Sequence, residues 1–410
     1  MTEKDIKKQM TDRFIRYTQF DTMSDPELCG VKRPTTDGQV VMLKALKKEL
    51  EDLGLETYFG KEFVVKGTLK GNVDAPTVGF MAHCDTASDV NGNNVKAQYH
   101  ENYDGEDIVL EDGIVIPADA LLKSYKGSDI ITSDGTSLLG ADDKAGVTVI
   151  MQMLTYLTEH PEVKHGDIEV FFTPDEETGS GMDMFPYEGM KSVACYTVDG
   201  GTEGEIETEC FNAATVSVTF HGNSIHLGSA RGILVNAVTM ASALVTSLPQ
   251  AESPEATDGR YGYYCPLDFN GDGVTANVKV YIRDFDMPSF ERRIECVKKL
   301  AESIAFIYHG EVDVDVHVSY HNMAEVNKKS PKATEAIYAA AEKIGIPVRD
   351  ELIRGGTDGA RLAECSGVPS PNLFTGGANY HSLREWLSVD GLYNSYRLVL
   401  AMVDYWSMQK

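Results

Sequence analysis

Four short apolar runs in this chain each lead into histidine or carboxylate residues, and that pattern limits the fold more than any other feature. TVGFMA (77–82) runs into His83-Cys84-Asp85. IEVFFT (168–173) runs through Pro174 into Asp175-Glu176-Glu177. VACYTV (193–198) runs into Asp199-Gly200-Gly201, and PNLFTGG (371–377) reaches His381 through Ala378-Asn379-Tyr380. Runs this short and this apolar are strands covered on both faces, as in a parallel sheet. Helical patterns lie around them: near 2–18 and 37–53, after Asp142 (AGVTVIMQMLTYL), at 333–345 and at the end of the chain. The alternation predicts an α/β fold, a mixed, mostly parallel sheet flanked by helices. In such sheets ligands bind at the carboxyl ends of the strands. A further acidic pair, Asp142-Asp143, sits in LLGADDKAG (138–146), a glycine-flanked turn that opens a helix.

The middle of the chain has a different period. TVSVTFHG (215–222), VTANVKVYIRD (274–284) and EVDVDVHVSY (311–320) alternate apolar with polar residues, as strands with one exposed face do. Apolar or amphipathic helical patterns cover 232–248 and 288–308. The expectation is a small α+β domain, a sheet covered by two helices, inserted into the first. Residues 1–210 and 321–410 then form one discontinuous catalytic domain, and 211–320 an inserted domain of lid or dimerisation type.

Two histidines and three or more carboxylates suit Zn²⁺, Mn²⁺ or Co²⁺ better than Ca²⁺, which takes oxygen ligands. A catalytic zinc leaves one of its roughly four positions to water. A larger ligand set fits two ions sharing a carboxylate, which is hydrolytic chemistry. Each piece has an ordinary alternative. His83 could be a packed histidine bonded to Asp85, Asp142-Asp143 a helix cap, and Glu176-Glu177 a solvated turn. Their recurrence at one edge of one sheet favours a site. Adjacent side chains on an extended backbone point apart, so one glutamate of the pair could bind metal while the other faces substrate. Asp268-Phe269-Asn270-Gly271-Asp272-Gly273 matches the first half of a calcium-binding loop, but Lys279 stands where a bidentate glutamate is needed. That segment reads as a turn leading into a strand.

Charge and cysteine usage exclude other classes. Lys+Arg is 37 against 63 for Asp+Glu, a formal charge of −26. A polyanion repels nucleic acid and anionic membrane surfaces. No stretch approaches the roughly 18 apolar residues of a membrane span. The first residues, MTEKDIKKQMTDRFIRY, carry charges throughout and lack the apolar centre of a signal peptide. The seven cysteines are widely spaced without a CxxC, which points to a reducing cytoplasm rather than a disulfide scaffold.

In this order, HCDTAS (83–88), GADDKAG (140–146), FTPDEETGSG (172–181), YTVDGG (196–201), RGGTDGA (354–360) and FTGGANYHS (374–382) resemble the motifs of the co-catalytic zinc exopeptidases. That family includes carboxypeptidase G, aminoacylase and several dipeptidases. The resemblance extends over essentially the whole chain, through RPTTDGQ (33–39), GNSIHLGSARGILVNA (222–237) and IRDFD (282–286). It implies two Zn²⁺ per subunit, with Mn²⁺ or Co²⁺ able to serve the same ligands. His83 and Asp199 would hold one ion, Glu177 and His381 the other, and Asp142 would bridge them, with the Asp142–Asp143 peptide cis. It further implies Asp85 as the partner that orients His83, Glu176 as general base, and His226 of the inserted domain as the group that stabilises an oxyanion. Arg283 and Arg354 are candidates to bind the substrate carboxylate bidentately, and Asn379 to position the substrate. Leu227 and Arg384 depart from the family pattern, and neither is among the proposed ligands. The implied activity is that of an aminopeptidase on tripeptides. Still open are a dipeptidase, carboxypeptidase or deacylase of the same family, a non-catalytic peptide-binding relative, and a monomer or a homodimer.

Overall fold

The computed structural model describes residues 2–410, with only the backbone at Asp112. The chain forms two compact units. One comprises the residues up to Thr208, Met323–Glu351 and Thr357–Lys410; the other comprises Glu209–Asn322 and Leu352–Gly356. The short piece Leu352–Gly356, which carries Arg354, therefore packs with the second unit, an assignment the sequence reading did not make.

An eight-stranded sheet forms the centre of the first unit. Its order is Glu56–Phe59, Val65–Leu69, Ile168–Thr173, Val78–His83, Cys195–Gly200, Asn372–Phe374, Glu205–Cys210 and Arg349–Ile353. The four strands in the middle pair parallel to one another. Val65–Leu69 and Glu205–Cys210 flank them antiparallel. Every residue of Val78–His83 and Ile168–Thr173 is buried, which explains their unbroken apolar sequence. Ala141–Glu159 packs on Val78–His83 and Cys195–Gly200, and Asp358–Ser366 also packs against the latter strand. Contact with the first helix depends on Gly146, since a Cβ there would lie 1.8 Å from the Val198 carbonyl oxygen. A smaller sheet, absent from the sequence expectation, runs Gly377–Ala378, Trp386–Ser388, Ile130–Thr132, Gln98–His100.

The second unit is an antiparallel sheet in the order Tyr263–Gly271, Thr275–Asp284, Asn212–His221, Glu311–Tyr320. The helices Ala237–Ser247 and Met287–Tyr308 pack on it. Val216, Val218, Phe220, Val278, Val280 and Ile282 meet Met240, Leu244, Phe290 and Val297 in a separate core. The expected calcium-like turn is mostly strand: Asp268–Gly271 belongs to Tyr263–Gly271, and Asp272 caps the hairpin by accepting from Val274 N and Thr275 N. The helix expected at 232–248 begins at Ala237, where the Asn236 side chain accepts from Val238 N and Thr239 N. Among the described residues no helix is long and apolar enough to cross a membrane, and all seven cysteines are free.

Candidate metal centre

The carboxyl ends of the four parallel strands bring together His83, Glu177, Asp199 and His381. His83 is the last residue of its strand, Asp199 the next to last of its own, Glu177 follows Ile168–Thr173 by a short turn, and His381 follows Asn372–Phe374 after the short strand Gly377–Ala378. Asp142 joins them from the opening of Ala141–Glu159, where the backbone leaves helical geometry at Asp142 (φ −82°, ψ 104°) and Asp143 (φ −122°, ψ 33°). The Asp142–Asp143 peptide is cis. Two groups result, His83–Asp142–Asp199 and Asp142–Glu177–His381, each with its ligand atoms within 4.8 Å of one another. Asp142 is common to both. Its Oδ1 lies 2.8 Å from His83 Nε2 and its Oδ2 lies 3.3 Å from His381 Nε2. His83 Nε2 also faces Asp199 Oδ1 at 3.4 Å, and His381 Nε2 faces Glu177 Oε2 at 3.1 Å.

Three carboxylates thus converge, and among the described residues their ion-pair partners are the two imidazoles. The electrostatics follow. Burial, then the charge of Asp142, pushes Glu177 up to about 7. Burial pushes Asp199 up to about 6. Hydrogen bonds to Asp142 and Glu177 push His381 up to about 11. Burial lowers His83, but the charge of Asp199 and the Asp142 and Asp199 hydrogen bonds outweigh it and hold the imidazole well above its usual range. Asp142 is raised by burial and lowered more by the two imidazoles, ending below the usual carboxylate range. Cluster and burial together call for more positive charge than the protein supplies. Glu177 Oε1 is buried and receives no hydrogen bond. An orphaned carboxylate oxygen beside a histidine and a shared aspartate is what a cation would satisfy. The two-histidine, three-carboxylate donor set fits two divalent ions of the zinc type.

Buried groups hold this cluster from beneath. Asp85 is fully buried, its carboxylate 3.3 Å from His83 Nδ1. The same carboxylate accepts from Glu176 N at 3.1 Å and Glu177 N at 3.2 Å. Glu176 and Glu177 are therefore not on extended backbone, as the sequence argument assumed. They form a 3₁₀ turn, Glu176–Thr178, entered through Asp175 at φ +58°. Asp175 tolerates that left-handed conformation because buried partners fix it: Thr35 N, Thr35 Oγ1 (2.6 Å) and Gln39 Nε2 (2.8 Å) donate to its carboxylate, and its N–H donates to Gln39 Oε1. The RPTTDGQ segment thus serves the glutamate turn. Arg33 adds bonds to the carbonyls of Ser180 and Gly181. Burial pushes the Glu176 carboxyl well above its usual range. Asp358, bonded by Thr173 Oγ1 at 2.6 Å, is pushed up to about 7 by burial. Glu385 was missed in the sequence. It is buried and accepts four backbone N–H bonds from Leu139 to Asp142.

The remaining candidates belong to neither three-residue group. Asn379 is exposed at φ +57°, with Nδ2 donating to the Arg384 carbonyl. His226, Arg283 and Arg354 belong to the second unit. His226 is exposed, and its Nδ1 accepts from Gly228 N at 3.2 Å. Arg283 lies over the Tyr320 ring and donates from Nη1 to the carbonyl of Ile282. Arg354 donates from both terminal nitrogens to Thr257, Gly259 and Tyr261 and lies over Phe211.

Residues 137–405 match the model of peptidase family M20/M25/M40. A curated relative, Peptidase T of Staphylococcus carnosus, is 43% identical over 97% of this chain and 98% of its own. Two solved structures share the fold. Aminopeptidase PepT of Bacillus cereus has a TM-score of 0.75 at 24% identity, covering 97% of this chain and 98% of that one. A tripeptidase of Staphylococcus aureus has a TM-score of 0.78 at 20% identity, covering 98% and 99%. By the family match and the near full-length identity, the chain belongs to peptidase family M20/M25/M40 and is a peptide-cleaving hydrolase.

Proposed function

We propose that the chain is an aminopeptidase that removes the first residue of tripeptides with two zinc ions. The observation that carries the metal reading is the pair of three-residue groups sharing Asp142, with one buried oxygen of Glu177 left unbonded. His83 and Asp199 would hold one ion, Glu177 and His381 the other, and Asp142 both; Mn²⁺ or Co²⁺ could replace zinc. Bound there, two such ions would lower the pKa of a coordinated water and polarise a carbonyl. Asp85 keeps the His83 ring turned so that Nε2 faces the cluster.

Glu176 is the general base. It takes a proton from the attacking water and passes it to the nitrogen that leaves. Burial raises its carboxyl, which strengthens it as a base when ionised and lets it hold the proton between the two transfers. His226 donates to the oxyanion. Arg283 is the first choice to bind the peptide carboxylate, because the terminal nitrogens of Arg354 are engaged by the Thr257–Tyr261 loop. Asn379 positions the substrate. The widely spaced, free cysteines support a reducing, cytoplasmic place.

The test is a panel of di-, tri- and tetrapeptides with free and N-acetylated termini, the products read by mass. The expected outcome is preferred release of the first residue from free tripeptides. Equal cleavage of the acetylated tripeptide would rule out an aminopeptidase. Preference for dipeptides or acyl-amino acids would move the assignment to another activity of the same family.

A further inference from the structure

We infer that Glu385 is a positioning residue that sets the geometry of Asp142 and couples it to the loop bearing His381. The inference rests on the reading of Asp142 as a ligand shared by two metals.

Glu385 Oε2 accepts from Leu139 N and Gly140 N, both at 2.8 Å. Oε1 accepts from Ala141 N at 2.7 Å and Asp142 N at 3.1 Å. One carboxylate thus takes four successive main-chain donors, the last belonging to Asp142 itself. The segment it grips includes Gly140 at φ +80°, and it ends where the backbone departs from helical geometry. Left unbonded in a buried place, four N–H groups would favour another local conformation.

Glu385 is also tied to the other ligand. Its own N–H donates to the Ser382 carbonyl, closing the turn that follows His381. The next residues, Trp386–Ser388, pair with Ile130–Thr132, and Trp386 packs edge-on to Tyr125. Glu385 therefore projects from a fixed strand end. One residue thus bonds both segments, its side chain to Leu139–Asp142 and its main chain to the turn after His381, so the Asp142–Glu177–His381 group should depend on it most. A glutamine of the same shape cannot replace it. Its single amide oxygen would serve one pair of donors, while its NH₂ would face the other pair, donor against donor.

The test uses the purified full chain, stripped with a chelator and titrated with Zn²⁺ alone, in the wild type and in Glu385→Gln. The wild type should bind two ions. The variant should bind the first normally and the second at least tenfold more weakly. With saturating zinc, kcat on a tripeptide should fall at least tenfold while KM changes less than twofold. A folded variant with two wild-type zinc affinities and wild-type kcat would overturn the inference. So would an unaltered zinc titration accompanied only by a lower melting temperature. Should Glu385→Gln fail to fold, Glu385→Asp keeps the carboxylate at shorter reach and is read the same way. Wild-type zinc binding and kcat in that variant would equally overturn it. A wild type that binds fewer than two ions defeats the dinuclear reading itself, a result distinct from any difference between the variants.

Discussion

Glu176 and Glu177 are neighbours in sequence with different surroundings. Glu177 faces His381 and keeps one oxygen unbonded, whereas Glu176 is not part of either three-residue group. If Glu176 is the proton carrier, Glu176→Ala should lower kcat at least about 10²-fold. Zinc stoichiometry, measured by atomic emission on the dialysed protein, should stay at the wild-type value. Unchanged turnover would remove Glu176 from the mechanism. Both glutamates could be picked out in the sequence because an apolar strand delivers them. The reason only one of them joins a ligand group could not. It lies in the 3₁₀ turn, which Asp85, Thr35 and Gln39 impose from other parts of the chain. Glu385 was harder still: its function depends on Trp386–Ser388 pairing with Ile130–Thr132, more than 250 residues earlier, and neither run is long enough to read as a strand.

Among the elements, the long buried strands were legible and the short ones were not. Val78–His83 and Ile168–Thr173 declare themselves because both of their faces are covered. Ile168–Thr173 nevertheless contains Glu169, a fully buried carboxylate inside an apolar run. It is paired with Lys66 of the adjacent strand at 2.6 Å and accepts from Ser192 Oγ, Ser192 N and Lys191 N. Burial raises its pKa, but Lys66 and these donors outweigh burial, and the folded value lies below the ordinary one. In the window between the folded and unfolded values the native state binds fewer protons, so stability rises with pH there. The contribution is complete above the unfolded value and is lost as pH falls through the folded one. Glu169→Gln leaves Lys66 without its buried partner and should cost about 3 kcal/mol at neutral pH. Urea unfolding at pH 7 and near pH 3 measures this. The variant should be clearly weaker at pH 7, and the gap should narrow in acid. An equal gap at both values would mean that packing, not charge, is what the substitution removes.

At the scale of the whole molecule, ligands and core are distributed unevenly. The five proposed ligands, His83, Asp142, Glu177, Asp199 and His381, all lie in the first unit, drawn from its sheet and the turns around it. The second unit has its own apolar core and no proposed ligand. Any ion that binds the native state but not the unfolded chain stabilises the part that holds it, by about 4 kcal/mol at a thousandfold excess over its Kd. Removing metal should therefore be felt locally. Amide hydrogen exchange, followed by mass spectrometry with and without a chelator, resolves the two units. Exchange should accelerate in the turns after Thr173 and Phe374 and in the segment Leu139–Asp143. The strands Asn212–His221 and Thr275–Asp284, bonded to each other along ten residue pairs, should keep their protection. Acceleration spread evenly over both units would show that metal supports the molecule as one cooperative body, and no change anywhere would count against these residues as its ligands.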